Sequence, residues 1–206
     1  MMEFGYIGIN YKNADQDIRD GVSFTDNGKI DFMGKAADAG INQCMVLSTC
    51  NRSEVYYLVQ DTEEHETMER LYRDNFSGIC LDEYLDFRRG KEAIAYLFRV
   101  TAGLESMVLG EDQILGQVKE ACELSQTLGY TGKELNKIIR DAVTCAKKMK
   151  TQLHIDITRR CQVQKCHRMH EFYTLPAHDN MRRSGGGYYN VTVFHRLISF
   201  FVWHNI

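Results

Sequence analysis

Cys44-Met45-Val46-Leu47-Ser48-Thr49-Cys50-Asn51-Arg52-Ser53-Glu54-Val55-Tyr56-Tyr57-Leu58-Val59 consists of two apolar runs joined by a short polar link. Runs of this length rich in Val, Leu and Tyr read as strands, and so tight a link makes them antiparallel neighbours. The link holds one thiol, Cys50, with Arg52 two residues beyond it. A fixed cation favours the thiolate, which is the nucleophilic form of cysteine. An average cysteine at a strand end is a small hydrophobe in packing. The polar company of Thr49, Asn51 and Arg52 argues against that reading here.

Outward from this hairpin, the chain alternates strand and helix signals. Phe4 to Asn10 is a strand that another group can approach closely at Gly5 and Gly8. Residues 11–25 are polar and irregular. Asp26 is placed to cap a helix with Ile30, Met33 and Ala37 on its inner face, and Gly40 ends it. Asn42 to Ser48 and Glu54 to Gln60 are the hairpin strands. Asp61 or Thr62 caps a second helix with Met68, Leu71 and Tyr72 inward, and Tyr84 to Arg88 is a weaker strand closed by Gly90. The order β-α-β-β-α-β predicts an α+β fold of the ferredoxin-like split βαβ plan, over residues 1–90, with helices on one face of the sheet.

Beyond Gly90 the apolar period becomes helical. Ile94, Leu97, Phe98, Thr101 and Leu104 form one stripe, and Ile114, Val118, Ala121 and Ser125 a second. Leu135, Ile138, Ile139, Ala142, Ala146 and Met149 form a long third, begun by a Thr131–Glu134 capping box. Residues 91–158 are thus expected to be a helical part of the same domain. Residues 159–206 lose this period, and irregular, poorly ordered structure is expected there.

The charge balance changes at the same place. Residues 1–158 carry 18 Lys and Arg against 26 Asp and Glu, whereas 159–206 carry seven against two. The acidic part disfavours general affinity for phosphate backbones, which need clustered cations. The basic tail could be a nucleic-acid arm, but it has no periodic scaffold. Cys161, Cys166, His167 and His170 do not have standard zinc spacing. The seven cysteines fit free thiols in a reducing compartment. The N-terminus lacks the basic and apolar regions of a signal peptide, and no apolar segment is long enough to span a bilayer, so a cytoplasmic location is expected.

Two stretches then point to one family. Ser48-Thr49-Cys50-Asn51-Arg52-Ser53-Glu54 is the first; Tyr96-Leu97-Phe98-Arg99-Val100-Thr101-Ala102-Gly103-Leu104-Glu105-Ser106-Met107-Val108-Leu109-Gly110-Glu111-Asp112-Gln113-Ile114-Leu115-Gly116-Gln117-Val118-Lys119 is the second. Together they resemble the N-terminal catalytic domain of glutamyl-tRNA reductase, and Gly8 to Lys12 with Ile18-Arg19 resemble that family's opening strand and loop. The resemblance runs from residue 3 to about residue 158.

It implies that Cys50 attacks the ester joining glutamate to the tRNA 3′ end to give an enzyme thioester. NADPH then reduces the thioester to glutamate-1-semialdehyde, in tetrapyrrole (porphyrin) biosynthesis. Thr49, Arg52, Ser106, Glu111, Gln113 and Gln117 fall at substrate-binding positions. Arg52 suits a carboxylate clamp, because its fork pairs bidentately where a Lys would not. A surface ion pair with Glu54 is the alternative for Arg52. Similarly, Gly110 could simply separate two helices. Tyr96 stands where the family usually has His, and a phenol is a poor base at neutral pH although it can donate a hydrogen bond. Packing in the core is its alternative role.

The resemblance also implies glutamyl-tRNA as partner, glutamate-1-semialdehyde aminomutase as a possible one, and a homodimer. The family's nicotinamide-binding and dimerisation modules have no counterpart that the sequence reveals, since Gly185-Gly186-Gly187 opens no helix. Residues 159–206 are accordingly expected to be an appended or frameshifted tail, and the chain to lack the reduction step. A noncatalytic tRNA- or partner-binding module is the second reading. Arg88, Arg89, Lys91 and Arg99 are then either its binding patch or a solvated face.

Overall fold

A computed structural model describes residues 2–108 and 110–153. The expectations for the tail, including its irregular structure and its Cys161, Cys166, His167 and His170 set, lie outside the described residues. The elements are β1 (Glu3–Asn10), α1 (Gln16–Gly21), α2 (Asp26–Asp38), β2 (Gln43–Thr49) and β3 (Arg52–Val59). They continue with α3 (Thr62–Asn75), β4 (Asp86–Arg89), α4 (Gly90–Thr101), α5 (Gln113–Thr127) and α6 (Lys133–Leu153). The fold is mixed α/β, with one four-stranded sheet in the order β2-β3-β1-β4 and every neighbouring pair antiparallel.

Both faces of this sheet are covered, not one. Ile7, Ile9, Val46, Val55, Tyr57 and Val59 pack with α2 and α3 residues such as Phe32, Met33, Met68 and Tyr72. On the opposite face Phe4, Tyr6, Met45, Leu47, Tyr56 and Leu58 pack with α4, α5 and α6. The helices after Gly90 therefore close the second face, and all eight residues of β3 are buried. Burying an alternating strand on both sides removes water from its polar positions too, which decides the chemistry of the site.

The glycines of β1 are places of close approach. A Cβ at Gly5 would lie 2.4 Å from the Tyr57 ring, and one at Gly8 2.6 Å from the Ser53 carbonyl oxygen and 2.9 Å from Glu54 Cγ. Several local expectations shift. Thr25 caps α2 by accepting from the Gly28 amide at 3.0 Å, so Asp26 is already helical. The inner face of α2 is Phe32, Met33 and Ala36, while Ile30 is exposed. Asp15 caps the short α1 inside the segment expected to be irregular. β4 begins two residues late, because Tyr84 and Leu85 both bond back to the Leu81 carbonyl in a turn. The start of α6 is held across the fold: Gln43 Oε1 accepts from the Gly132 and Leu135 amides at 2.9 and 3.3 Å.

On the α3 face, buried His65 bridges the Tyr57 hydroxyl and Glu3, each at 3.1 Å. Burial lowers the His65 pKa below its ordinary value, more than the Glu3 contact raises it. The unfolded chain then binds this proton more readily than the folded one. The His65 contribution should be complete above about pH 6.5 and decline as pH falls below it. Urea midpoints at about pH 8 and about pH 5 test this. The acid loss should shrink in His65→Gln, and an undiminished loss would assign it to other groups.

Candidate active site

The β2–β3 hairpin closes in two residues, since Thr49 still pairs with Arg52 and only Cys50 and Asn51 form the turn. Cys50 is exposed there. Its surroundings hold the turn by the main chain. Arg19 Nε donates to the Cys50 carbonyl at 3.3 Å, the Tyr11 amide donates to the Asn51 carbonyl at 3.0 Å, and Thr49 Oγ1 accepts from the Asn51 amide at 3.2 Å. Arg19 also donates to the Ala14 carbonyl at 2.7 Å. The thiol thus projects from a turn braced by the β1–α1 connection.

Arg52 leaves the turn in the other direction. Its side chain is 1% exposed and that of Glu54 is 0% exposed, so the pair foreseen at the surface is a buried one, with Nη1 to Oε1 at 2.9 Å. The sheet explains the change: Arg52, Glu54 and Tyr56 alternate onto the face that α4 covers. Glu54 also accepts from Tyr96 at 2.8 Å and from Tyr56 at 2.7 Å, giving its carboxylate three donors. The missing side chain of Gly8 makes room for Glu54. Burial opposes the charge on Arg52, but Glu54 together with Tyr96, Tyr56 and Tyr6 outweighs it and holds the guanidinium firmly protonated.

Tyr96 is both a core residue and a member of this network. It is 2% exposed, and its hydroxyl also meets Asn10 Nδ2 at 3.3 Å and the Tyr6 hydroxyl at 3.4 Å. Burial, and then the negative charge of Glu54, push its pKa well above that of an ordinary tyrosine. The phenol is therefore a fixed donor and not a base at neutral pH.

The second wall is the connection between α4 and α5. Gly103 and Gly110 both have φ of +76°, and a Cβ on Gly103 would lie 2.9 Å from Gly110 Cα. The Gly110 amide donates to the Gly103 carbonyl at 2.9 Å, so the two glycines pinch the loop shut at its base. Gly110 is thus more than a helix separator. Inside the loop, Arg52 Nη2 donates to the Glu105 carbonyl. The Glu105 carboxylate takes Lys12 and, at 2.7 Å, Arg99. Burial raises the Glu105 pKa, yet the Lys12 and Arg99 hydrogen bonds and charges win and hold it below the usual carboxylate range. Ser106 Oγ, next in the chain, is buried and has no hydrogen-bond partner among the described residues.

The remaining candidates sit around the start of α5. Glu111 is half-buried, and its carbonyl accepts from Lys150 at 3.3 Å; Lys150 also pairs with Asp112. Gln113 is exposed and Gln117 half-buried, one helical turn apart. No hydrogen bond among the described residues joins either glutamine to Arg52, Glu54 or Tyr96. Contacts therefore unite Arg52, Tyr96 and the Ser106 loop, strand pairing with Arg52 adds Thr49, and chain continuity adds Cys50.

Beside the network opens a cleft of about 690 Å³, lined by Asn10, Lys12, Arg88, Tyr96, Arg99 and Glu105 among others. The Arg88 guanidinium lies 4.5 Å from the Tyr96 ring centre and that of Arg99 5.6 Å. Two members of the expected basic patch are thus built into the cleft wall. Sequence reasoning missed Asn10, Tyr6, Tyr56 and Glu105, and took Glu54 only as a surface partner. A signal for Glu54 existed, because it directly precedes and shares a face with a run, Val55 to Val59, that is apolar on both alternations.

Comparison with known proteins gives one consistent result. Residues 7–153 match the family model described as glutamyl-tRNA(Glu) reductase, N-terminal domain. The glutamyl-tRNA reductase of Clostridium novyi is 42% identical over 158 residues, covering 76% of this chain and 38% of that protein. That of Alkaliphilus metalliredigens is 41% identical, covering 75% and 37%. The solved glutamyl-tRNA reductase from Methanopyrus kandleri superposes with a TM-score of 0.61 at 31% identity, covering 72% of this chain and 34% of that one. The chain thus spans under two-fifths of the length of these relatives.

Proposed function

Because the chain belongs to the glutamyl-tRNA reductase family through its N-terminal domain, we propose that it forms the thioester of that reaction. The Cys50 thiolate attacks the ester carbonyl of glutamyl-tRNA. The new S–C bond replaces the ester C–O bond, and the ribose oxygen leaves and takes a proton. Dividing the transfer through sulfur splits one difficult displacement into two easier ones.

The observation that carries this reading is the bridge from Arg52 to both Glu54 and the Glu105 carbonyl. It makes the Cys50 hairpin and the Ser106 loop one wall. Arg52, its fork taken by Glu54 and the Glu105 carbonyl, acts as the carboxylate clamp by exchanging one of these partners for the substrate carboxylate, and Thr49, Ser106, Glu111, Gln113 and Gln117 complete the glutamate pocket. The unpartnered Ser106 Oγ supports this, since a buried hydroxyl calls for a partner. Tyr96 acts through Glu54 as a donor that fixes the geometry. The strand order β2-β3-β1-β4 and the two strand–helix–strand crossovers support the ferredoxin-like plan for residues 1–90, and residues 91–158 complete the catalytic domain.

NADPH is the hydride donor that the family implies, and it supplies the reduction that would release glutamate-1-semialdehyde. The described strand-to-helix joints, at residues 11–15, 60–61 and 89–90, carry no glycine-rich turn that would fit a dinucleotide. The hydride step is therefore assigned to none of these residues. A cytoplasmic setting, a homodimer and an aminomutase that takes the aldehyde belong to the same reading. No helix among the described residues is long and apolar enough to cross a membrane.

Trapping tests the assignment. Incubation with radiolabelled glutamyl-tRNA and acid quench should leave glutamate on the Cys50 peptide, released by hydroxylamine. Cys50→Ser should carry no label. Label persisting in that variant would remove Cys50 from the reaction, and tRNA binding without any label would favour the noncatalytic module.

A further inference from the structure

Among the described residues, every hydrogen bond from residues 105–108 to another element passes through Glu105. Its two ends do different things. The carbonyl accepts from Arg52 on β3, while the carboxylate is gripped by Lys12 from the β1–α1 connection and, at 2.7 Å, by Arg99 from α4. Three elements thus meet at one residue of the loop. The base of the loop is already closed where the Gly110 amide bonds the Gly103 carbonyl, so Glu105 settles where the span between them lies. Ser106 follows directly, and its buried hydroxyl has no bond of its own to hold it.

The Glu105 side chain is only 13% exposed, and an ionised carboxylate there needs paired cations. Lys12, at 52% exposure, is the outer of its two partners. Its backbone is fixed, because the Lys12 amide donates to Asn10 Oδ1 at 2.9 Å. The residue before it, Tyr11, braces the Cys50 turn through the Asn51 carbonyl at 3.0 Å. One short segment therefore holds the nucleophile's turn by its main chain and the second wall of the site by a side chain.

We propose that Lys12, together with Arg99, is a positioning residue for acyl transfer to Cys50: by gripping the Glu105 carboxylate it keeps the Glu105 carbonyl at Arg52 and Ser106 in the glutamate pocket. The assignment rests on the thioester reading. Arg52 exchanges a partner for the substrate carboxylate, and when that partner is the Glu105 carbonyl, the grip is what remains to hold the loop. The Cys50 turn has its own braces in Arg19 and Tyr11. Loss of the grip therefore falls on binding of the glutamyl group and not on the rate of acylation at saturation.

A glutamyl thioester of a simple alkyl thiol isolates the glutamate pocket from any contact with RNA. Lys12→Ala should raise the KM for Cys50 labelling by this substrate about tenfold and leave the rate at saturation near that of wild type. Lys12→Arg should restore the KM, since it keeps the charge and the reach. In a Glu105→Gln background, Lys12→Ala should add little further loss, because the partner is already neutral. The same added loss in both backgrounds would make Lys12 a direct substrate contact and overturn the grip, as would a loss seen with glutamyl-tRNA but not with the thioester. Hydrogen exchange reads the loop without any labelling. The amides of Ser106 and Met107 should exchange faster in Lys12→Ala while those of β3 stay as in wild type. Unchanged exchange at Ser106 overturns the proposal, and faster exchange throughout the domain makes Lys12 merely structural. If neither substrate labels Cys50 in the wild type, the thioester reading fails, and the exchange at Ser106 still decides whether Lys12 holds the loop.

Discussion

Glu54→Ala is expected to destabilise the fold by about 3–5 kcal/mol, the range for breaking a buried ion pair from one side. The loss has three sources. Arg52, 1% exposed, would keep its charge with no carboxylate beside it. The hydroxyls of Tyr56 and Tyr96 would lose the acceptor they now reach at 2.7 and 2.8 Å. The covering helices α4 to α6 would also keep water from replacing what was removed. Glu54→Gln retains the shape and an acceptor, and should cost about 1–3 kcal/mol. Denaturant unfolding of the full chain measures both. A Glu54→Ala midpoint within error of wild type would mean that water reaches Arg52.

Tyr96→Phe should cost about 1–3 kcal/mol, because Asn10 Nδ2 and the Tyr6 hydroxyl lose their shared acceptor in a dry setting. Tyr96→His is the more informative change, and its readout is the pH dependence of Cys50 acylation. The wild-type phenol stays protonated, since burial and Glu54 both raise its pKa, so it adds no inflection between about pH 6 and 8. An imidazole at this position titrates in that range. Tyr96→His should therefore gain an inflection that wild type and Tyr96→Phe both lack. A wild-type inflection that disappears in Tyr96→Phe would show that the phenol titrates and is more than a donor.

The sequence made the hairpin, the close approaches at Gly5 and Gly8 and the inner face of α6 legible, because each depends on local pattern alone. It also singled out Cys50 and Arg52. What it hid was burial. Charged residues are normally solvated, so the alternative of an Arg52–Glu54 pair was placed at the surface, whereas α4, α5 and α6 cover that face and bury it. A clue was present in β1 and β3, whose consecutive apolar residues indicate strands covered on both sides. Tyr96 divided the reading between site and core, and it lies buried in the core with its hydroxyl in the Glu54 network. Ile30 and the late start of β4 were misread because helix faces and strand ends are set by distant packing and turns. The six-residue α1 has only Ile18 as a large apolar side chain and gives no periodic signal.

The Gln43 cap on α6 belongs to a wider closure of one margin of the sheet. There the Cys44 amide donates to the Tyr130 carbonyl at 2.9 Å, and the Cys44 carbonyl accepts from Ser125. An outermost strand ordinarily offers its free amides and carbonyls as a template for foreign strands. Here, at Gln43 and Cys44, the joint between α5 and α6 already occupies that template. That end of β2 is thus already engaged within the chain, and the template it would offer to another copy of this strand is taken at Gln43 and Cys44.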